Sequence, residues 1–512
     1  MIIGLDVGGT HTDAVLLGEE GIVRDIKVST DPDHLFETVL SALEMLLSDL
    51  TPDTIRRVVL STTLATNLVV QNKLPPVAML VSGGPGIDPV HFRTNDHYYT
   101  VKGALDHRGR EIQPIDQDEI RSIGEQILSL GLGFAGVVSK FSVRNPAHEE
   151  QMAALLAPFV ERVFMGHQFS GALSFPRRIA TTYLNTAVYP VHKDFFEAVQ
   201  KSLAQKGLTV PIRVLKPDGG NMNLAASMDY PSQTILSGPS ASVMGALGAA
   251  PRDKTCLILD IGGTTTDMAV LIDGVPLLAP MGIEINGYKT LTRALLTQSI
   301  GVGGDSVVRV LNGRLTIGPD RQGPPMAYGG PLPTPTDAFC VMGLTSDGDP
   351  VSAEAGIASL AEALDVSLET AAEQIHETAC RLILDAADDM IAQINSKPVY
   401  TVHEMYEGRA IRPEHLLVLG GPAHLFAPRL QARFNGAVSK VPHWKVANAI
   451  GCALARTTCE VSVFADTAQC IVVAPEEEFH QDIDPNFNLD QARAIALDLL
   501  RAKALNRGAN PE

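Results

Sequence analysis

Two octets hold the residues best suited to chemistry. Residues 6–13 read Asp-Val-Gly-Gly-Thr-His-Thr-Asp and residues 260–267 read Asp-Ile-Gly-Gly-Thr-Thr-Thr-Asp, differing only at Val7/Ile261 and His11/Thr265. Paired glycines let a hairpin turn adopt positive φ and leave successive N–H groups clear of Cβ atoms, which makes an anion-sized concavity. Threonine hydroxyls beside such a turn donate to phosphate oxygens, and the aspartate before the glycines can hold Mg2+ directly or through water. A single copy reads equally well as a tight hairpin with solvated polar residues. Repetition of the whole octet favours a shared ligand, because a hairpin does not need Asp and Thr in fixed register. Two such loops facing each other across a cleft would clamp the β- and γ-phosphates of a nucleotide.

The elements around the octets fit that task. Apolar Ile2–Val7 and Ala14–Leu17 flank the first, and Cys256–Ile261 and Met268–Ile272 flank the second, so both read as strand–turn–strand. Leu35, Phe36, Val39, Leu40, Leu43, Leu46 and Leu47 fall at helical spacing. Asn145-Pro146 and Ser237-Gly238-Pro239 open helices through Met152 and through Ala241–Ala249. Strands are expected at Arg57–Leu60, Val77–Val81, Gly136–Val138 and Ile212–Leu215, and alternating strands and helices indicate an α/β fold. The Gly, Pro, Asp and Thr of residues 312–350 suggest a long ordered loop region, and 368–395 reads as one long amphipathic helix. Leu416–Leu419, then Gly420-Gly421-Pro422 and a helix from Ala423, form a later strand-to-helix turn. The tail is acidic from Ala474, then forms one helix over Leu489–Ala504, and closes on a polar end expected to be disordered.

The whole chain narrows the function classes. Its 512 residues, 45% hydrophobic and 19% charged, call for two or three globular domains. A net charge of −18 argues against nucleic acid or an anionic membrane as partner, so a bound phosphate must be held locally. The start lacks a signal-peptide pattern and no stretch is apolar enough to span a bilayer. Six scattered cysteines form neither a disulfide framework nor a zinc pattern, and a cytoplasmic location is expected. The fourteen histidines show no two-ligand metal spacing.

The two octets with Gly420-Gly421-Pro422 resemble the phosphate-1, phosphate-2 and adenosine motifs of the actin, sugar-kinase and Hsp70 ATPase superfamily. Within it, Ser61–Asn67, Asp106-His107-Arg108-Gly109, Asn145–Glu149, Leu236–Pro239, Gly301–Gly304, Pro333–Ala338 and Leu419–Ala423 run in the order of landmarks of the hydantoinase/oxoprolinase A-subunit family, over roughly residues 1–460. The resemblance implies two duplicated ribonuclease-H-like lobes around a nucleotide cleft, with a lid-like insertion in the second. It divides the chain into a first lobe (1–185), a second lobe (186–460, insertion about 282–400) and a C-terminal extension (461–512). It implies ATP and Mg2+ as cofactors, and an ATP-dependent hydrolase that phosphorylates a lactam, amide or carbonyl oxygen beside a B-type partner subunit; a homo-oligomer is compatible with it. The rival readings are an ATP-driven chaperone or reactivase and a simple small-molecule kinase.

The resemblance also distributes roles. Asp6 and Asp260 belong to the Mg2+ shell as metal ligands and catalytic residues, with Asp260 the better candidate for orienting or deprotonating the attacking group. Gly8, Gly9, Thr10, Thr12, Gly262, Gly263, Thr264 and Thr265 cradle phosphates. Gly303 and Gly304 wrap phosphates or ribose, and Gly420 and Gly421 let adenine or ribose pass close to the backbone. Asp13 and Asp267 stiffen the turns by binding neighbouring threonines. Arg108, Arg144 and Arg178 are candidates for meeting a substrate carboxylate or carbonyl. The chain departs from the family at Leu60-Ser61-Thr62-Thr63 (family His-Gly-Thr-Thr), Gly303-Gly304-Asp305-Ser306 (Gly-Gly-Gly-Ser) and Asp218-Gly219-Gly220 (Ser-Asn-Gly-Gly), and it stops short of the usual A-subunit length. These departures bear on the acceptor and leave the ATP motifs intact.

Overall fold

Each octet is the tip of an antiparallel hairpin in the computed structural model, which describes residues 1–31, 34–48, 54–279, 281–396 and 410–510. Ile2–Val7 pairs with His11–Leu17 and Thr255–Ile261 with Thr266–Ile272, setting Asp6 opposite Asp13 and Asp260 opposite Asp267. Two parallel strands then extend each sheet on the far side of the hairpin's first strand. In the first sheet they are Arg57–Thr62 and Ile212–Leu215, and in the second His415–Leu419 and Ala437–Lys440. The shared order, with a third strand beyond each hairpin, is the ribonuclease-H-like arrangement, so the duplication seen in eight letters extends to two lobes.

The central strands are buried along nearly their whole length because helices cover both faces. Between the two sheets lie the helices Ser237–Ala246 and Ala447–Leu454. Their apolar residues reach both ways: Val243, Ala246 and Ala447 pack on the second sheet, and Ala449 and Ala453 pack beside Val15 of the first. The two helices touch backbone to backbone, since a Cβ on Gly451 would run into the carbonyl of Ala241 and one on Gly245 into that of Ala447. Gly451→Ala is therefore expected to destabilise the protein by about 2–3 kcal/mol in urea unfolding, the scale of overpacking in a filled interior.

Outside the first sheet, Leu35–Leu46 and Phe175–Gln205 supply Val39, Leu43, Leu46, Phe196 and Val199 against Ile3, Leu5 and Leu60. Outside the second, Pro335–Val341, Pro350–Leu364, Leu368–Asn395 and Ala423–Arg433 bring Phe339, Ile357, Ile383 and Phe426 onto Leu257, Leu259 and Val418. A four-stranded parallel sheet of Tyr98–Val101, Ala78–Ser82, Phe134–Ser139 and Arg162–Met165 is inserted in the first lobe. Among the described residues no helix is long and apolar enough to cross a membrane. All six cysteines are free.

Two expectations change. The helix Phe175–Gln205 runs unbroken through the boundary placed after residue 185, because its N-terminal half is buried with the inserted sheet (Ile179, Leu184) and its C-terminal half with the first sheet (Phe196, Val199). Ile212–Leu215 and Asn221–Asn223, assigned to the second lobe, complete the first sheet instead. Residues 312–350 are not one loop: they contain the strand Arg314–Ile317 and the helix Pro335–Val341. That helix starts on a reciprocal cap, with the Asp337 carboxylate accepting from Thr334 N at 2.8 Å and Thr334 Oγ1 accepting from Asp337 N at 3.4 Å. Of the segment 282–400, residues 397–400 lie outside the described residues. The extension adds the meander Phe464–Asp466, Ile471–Ala474 and Phe479–Asp482, and its helix Leu489–Asn506 ends on the first lobe, where Asn223 N donates to Arg507 O at 3.0 Å.

One buried histidine gives the fold a predictable response to acid. His192 is 2% exposed, and its Nε2 donates to Ser227 Oγ at 3.1 Å while that hydroxyl donates to Leu224 O. Burial lowers its pKa to about 3. A folded value below the unfolded one, near 6.5, gives stability present above pH 6.5 and lost as pH falls toward 3, amounting to about 2–3 kcal/mol by pH 4.5. His192→Gln should lose correspondingly less stability between pH 8 and pH 4.5, read from urea midpoints.

Candidate active site

The two hairpin tips meet across one cleft of ≈ 800 Å3. Asp6, Gly8, Gly9 and Thr10 line it from the first lobe, and Asp260, Gly262, Gly263, Thr264 and Thr265 from the second. Both turns close with the same hydrogen bond, Gly8 N to His11 O at 3.0 Å and Gly262 N to Thr265 O at 2.9 Å. Gly420 and Gly421 open onto the same space. At Gly420, φ is +96°, and a Cβ there would collide with the Ile261 carbonyl and stand 2.6 Å from Asp260 Oδ1. A Cβ on Gly421 would meet nothing within 4 Å, so its backbone faces the open cleft.

Asp6 and Asp260 are 6% and 9% exposed. Asn448, on the helix between the sheets, spans them, its Nδ2 lying 3.2 Å from Asp6 Oδ2 and 3.3 Å from Asp260 Oδ2. The Ser61 hydroxyl donates to Asp6, and the Ser242 hydroxyl donates to Asp260 at 2.5 Å. Burial pushes both carboxyls above the usual range, and the negative charge of Asp260 adds to the effect on Asp6. Among the described residues neither forms an ion pair; the nearby Lys27 instead pairs with Asp13 at 2.6 Å. Two buried carboxylates that form no ion pair among the described residues, beside two glycine turns, are a donor set that fits Mg2+, which is commonly held by one or two carboxylates plus substrate phosphates. No group of three or more metal-binding side chains occurs among the described residues, so the ion would depend on the phosphates for part of its shell.

Arg321 crosses the cleft. Its NH1 donates to Thr10 Oγ1 of the first lobe at 3.1 Å, and its NH2 donates to Asp305 of the second at 3.3 Å. Burial, with Lys27 and Arg321 nearby, lowers the His11 pKa to about 4 and keeps that ring neutral at pH 7.

Several expected site residues sit elsewhere. Thr12 is fully buried and its Oγ1 bonds Thr30 Oγ1 at 2.9 Å, while its counterpart Thr266 donates to Val302 O at 2.7 Å. In both copies the residue lies in a strand and anchors it to a neighbouring segment. Gly303 and Gly304 brace the second turn rather than line the cleft: Gly304 N donates to Gly262 O at 3.0 Å, and a Cβ on Gly303 would crowd that same carbonyl. Asp13 binds Lys27 and Asp267 accepts from Ser299, so neither holds a neighbouring threonine. Burial raises both carboxyls to about 7. Arg178 is fully buried on the carbonyls of Ala172, Ser139 and Lys140. Arg144 stacks on the Phe464 ring, and with Arg108 it lines a separate groove against Ile471–Ala474.

Reasoning from the sequence misses Asn448, Ser61, Ser242 and Arg321. Ser61 carried a signal, since it stands one residue before the end of the strand Arg57–Thr62, which runs parallel to Ile2–Val7 in a register placing Ser61 beside Asp6. Asn448 carried almost none beyond being the one strongly polar side chain of its short helix.

Comparison with known proteins agrees with this architecture. The chain matches the hydantoinase/oxoprolinase N-terminal region over residues 2–158 and the hydantoinase/oxoprolinase model over residues 178–461. It is similar to the caprolactamase subunit alpha of Pseudomonas jessenii, 24% identical over an alignment covering 98% of this chain and 76% of that protein. Two solved structures share the fold. Nucleotide-free acetone carboxylase superposes with a TM-score of 0.76 at 19% identity, covering 100% of this chain and 77% of that one. The ATP-dependent caprolactamase from P. jessenii superposes with a TM-score of 0.69 at 19% identity, covering 100% and 85%. With both lobes built on the same topology and the two family models together matching most of its length, the chain belongs to the hydantoinase/oxoprolinase family.

Proposed function

We propose that the chain binds ATP in the interlobe cleft and transfers the γ-phosphate to the oxygen of a lactam, another amide or a ketone. The observation that carries this reading is the convergence of two glycine turns on one cleft whose floor holds two buried carboxylates bridged by Asn448. Similarity to an ATP-dependent caprolactamase supports it.

Gly8, Gly9, Thr10, Gly262, Gly263, Thr264 and Thr265 would hold the phosphates, and Gly420 and Gly421 would flank the nucleoside. Asp6 and Asp260 would hold Mg2+, which would supply charge neutralisation at the transferring phosphate. In-line attack by the acceptor oxygen forms one P–O bond and breaks the bond to the bridging oxygen, releasing ADP. For a lactam the N–H proton leaves as the imidate phosphate forms. Water then adds to the activated carbon, the ring C–N bond breaks to give an amine and an acyl phosphate, and a second water releases orthophosphate. We assign Asp260 to orient the attacking group. Because the relative is a subunit by name, we place a partner subunit beside this chain for the hydrolytic steps.

The test is ATP turnover by purified protein against a panel of lactams, linear amides and ketones. A stimulated ADP release with one equivalent of orthophosphate supports the reading. Failure to bind ATP by calorimetry would overturn it, and a stable phosphorylated product would make the chain a kinase.

A further inference from the structure

The groove that Arg108 and Arg144 border has a volume of ≈ 420 Å3 and shares no lining residue with the interlobe cleft. That volume falls within the range of small-molecule sites, roughly 300–1,000 Å3. Two parts of the chain far apart in sequence form its walls. One is the first lobe, through the turn 106–110 and the approach to the helix Ala147–Leu156, and the other is the meander of the C-terminal extension. In the meander Phe464 stands opposite Val473, Asp466 opposite Ile471, and Val473 opposite His480. Residues paired across antiparallel strands share a face, so Phe464, Ile471, Val473 and His480 turn toward the first lobe together.

The first-lobe wall is held in shape by its own hydrogen bonds. The Asp106 carboxylate accepts from Arg108 N and Arg110 N, both at 2.9 Å, and from Arg110 Nε at 2.7 Å. At Gly109, φ is +85°, and a Cβ there would stand 2.9 Å from that of Arg144, so the turn lies directly on the arginine. Asn145 joins the pieces, its Nδ2 donating to Gly109 O at 2.8 Å and its Oδ1 accepting from Ala147 N at 3.0 Å. The charges on this wall are incompletely matched. Arg110 pairs with Asp106, whereas among the described residues neither Arg108 nor Arg144 forms an ion pair, and Arg144 Nε is buried with no hydrogen-bond partner. The Arg144 Cζ lies 3.3 Å from the centre of the Phe464 ring, a stacking that leaves the in-plane N–H groups of a guanidinium free for an anion. Asp466 acts on both arginines at longer range, but its carboxylate already accepts from Ala468 N and from Gln469 N and Nε2 of its own turn.

We propose that this groove is a binding site for a small monocarboxylate with an apolar body, its charge held by Arg144 and Arg108 and its body covered by Ile471, Val473 and Phe479. A carboxylate offers a guanidinium fork two oxygens at once. The rim limits the ligand to a single charge, because Glu150 and Glu478 stand exposed there and would repel a phosphate dianion. With one wall on each part of the chain, the bound molecule would fasten the extension to the first lobe. The site stands apart from the phosphoryl-transfer reading, since none of its residues is placed in that chemistry.

The probes are benzoate, its uncharged isostere benzamide and inorganic phosphate, titrated by calorimetry into the full chain at mildly alkaline pH, where phosphate is a dianion. Benzoate is expected to bind about tenfold or more tightly than either of the others, the scale of a charge-assisted contact. Arg144→Met and Arg108→Met should each weaken benzoate by about tenfold. Arg108 is exposed, so the second variant keeps the test intact if the first fails to fold. Arg321→Met, which removes the guanidinium of the cleft, should leave the affinity for benzoate unchanged. Hydrogen exchange should slow around residues 106–110 and 464–480 when benzoate is added, and not in the two octets. Equal affinity for benzoate and benzamide, phosphate as the tightest probe, or binding of no probe would overturn the site. So would an affinity that survives both groove substitutions or is lost with Arg321→Met, or protection confined to the octets. Benzoate selected in this way by protein that binds no ATP would sink the nucleotide reading alone.

Discussion

Asp260→Asn is expected to lower ATP turnover by about 1000-fold or more, while raising the stability of the protein above pH 5. The first effect follows from phosphoryl transfer, in which position and charge neutralisation supply most of the acceleration, so removing one of two carboxylates that would hold the metal removes a dominant share. The second follows from the cleft's electrostatics. Burial raises the folded-state pKa of Asp260 above 3.8, so its contribution to stability is greatest below the unfolded value and is lost as pH rises through the folded one. An amide of the same shape carries no such penalty and still meets the Ser242 hydroxyl and Asn448. Steady-state ADP release and urea midpoints at pH 5 and pH 8 read the two effects. A variant that lost activity and stability together at pH 8 would mark Asp260 as a structural residue. Asp6→Asn should behave alike, since Asp6 is buried in the same way and held by Ser61 and Asn448.

The same opposition of stability and function explains which parts of the site are legible in the sequence. Gly8, Gly9, Gly262 and Gly263 stand out because a turn with exposed amides restricts its residues locally, and all of its constraints lie within eight positions. The duplicated lobes follow, because short apolar runs on either side of a glycine turn, buried almost throughout in both hairpins, are local as well. Asn448 cannot be read in this way. Its role arises only when two helices 200 residues apart in the chain pack through Gly245 and Gly451, and nothing in its own neighbourhood announces that packing. Thr12 fails in the opposite direction. It belongs to a motif, but its side chain leaves the turn for the strand and is consumed by Thr30. Gly303 and Gly304 likewise look like a phosphate loop, yet the space a side chain would need is taken by Gly262 and Gly263 at Gly303 and by Thr336 and Pro422 at Gly304. The boundary near residue 185 is misread for a related reason, since one long helix can serve two cores and its sequence does not say where the first ends.

Arg321→Met should reduce kcat for ATP-dependent turnover by about 100- to 1000-fold, with Arg321→Lys recovering only part of the loss. Arg321 is the one arginine that lines the cleft among the described residues, and it comes from the Gly- and Pro-rich stretch that looks least functional in sequence. Its guanidinium is held by Thr10 of one glycine turn and Asp305 beside the other. The contact to Asp305, at 3.3 Å and partly exposed on both sides, is too weak to hold it against a triphosphate. A planar fork meets two phosphate oxygens at once, whereas an ammonium acts as a point charge, which is why lysine should not substitute fully. Arginines that neutralise charge in the transition state of phosphoryl transfer contribute about 1000-fold or more, and a somewhat smaller value is expected here because Lys27 and the proposed metal share the task. Since Arg321 reaches both lobes, ATP should draw the guanidinium from Asp305 toward the phosphates and bring the two turns together. Asp305→Asn would then ease that transfer and lower the KM for ATP with little change in kcat. Equal losses in kcat for Arg321→Lys and Arg321→Met, or an Asp305→Asn variant with a raised KM, would place Arg321 as a structural strut between the lobes instead.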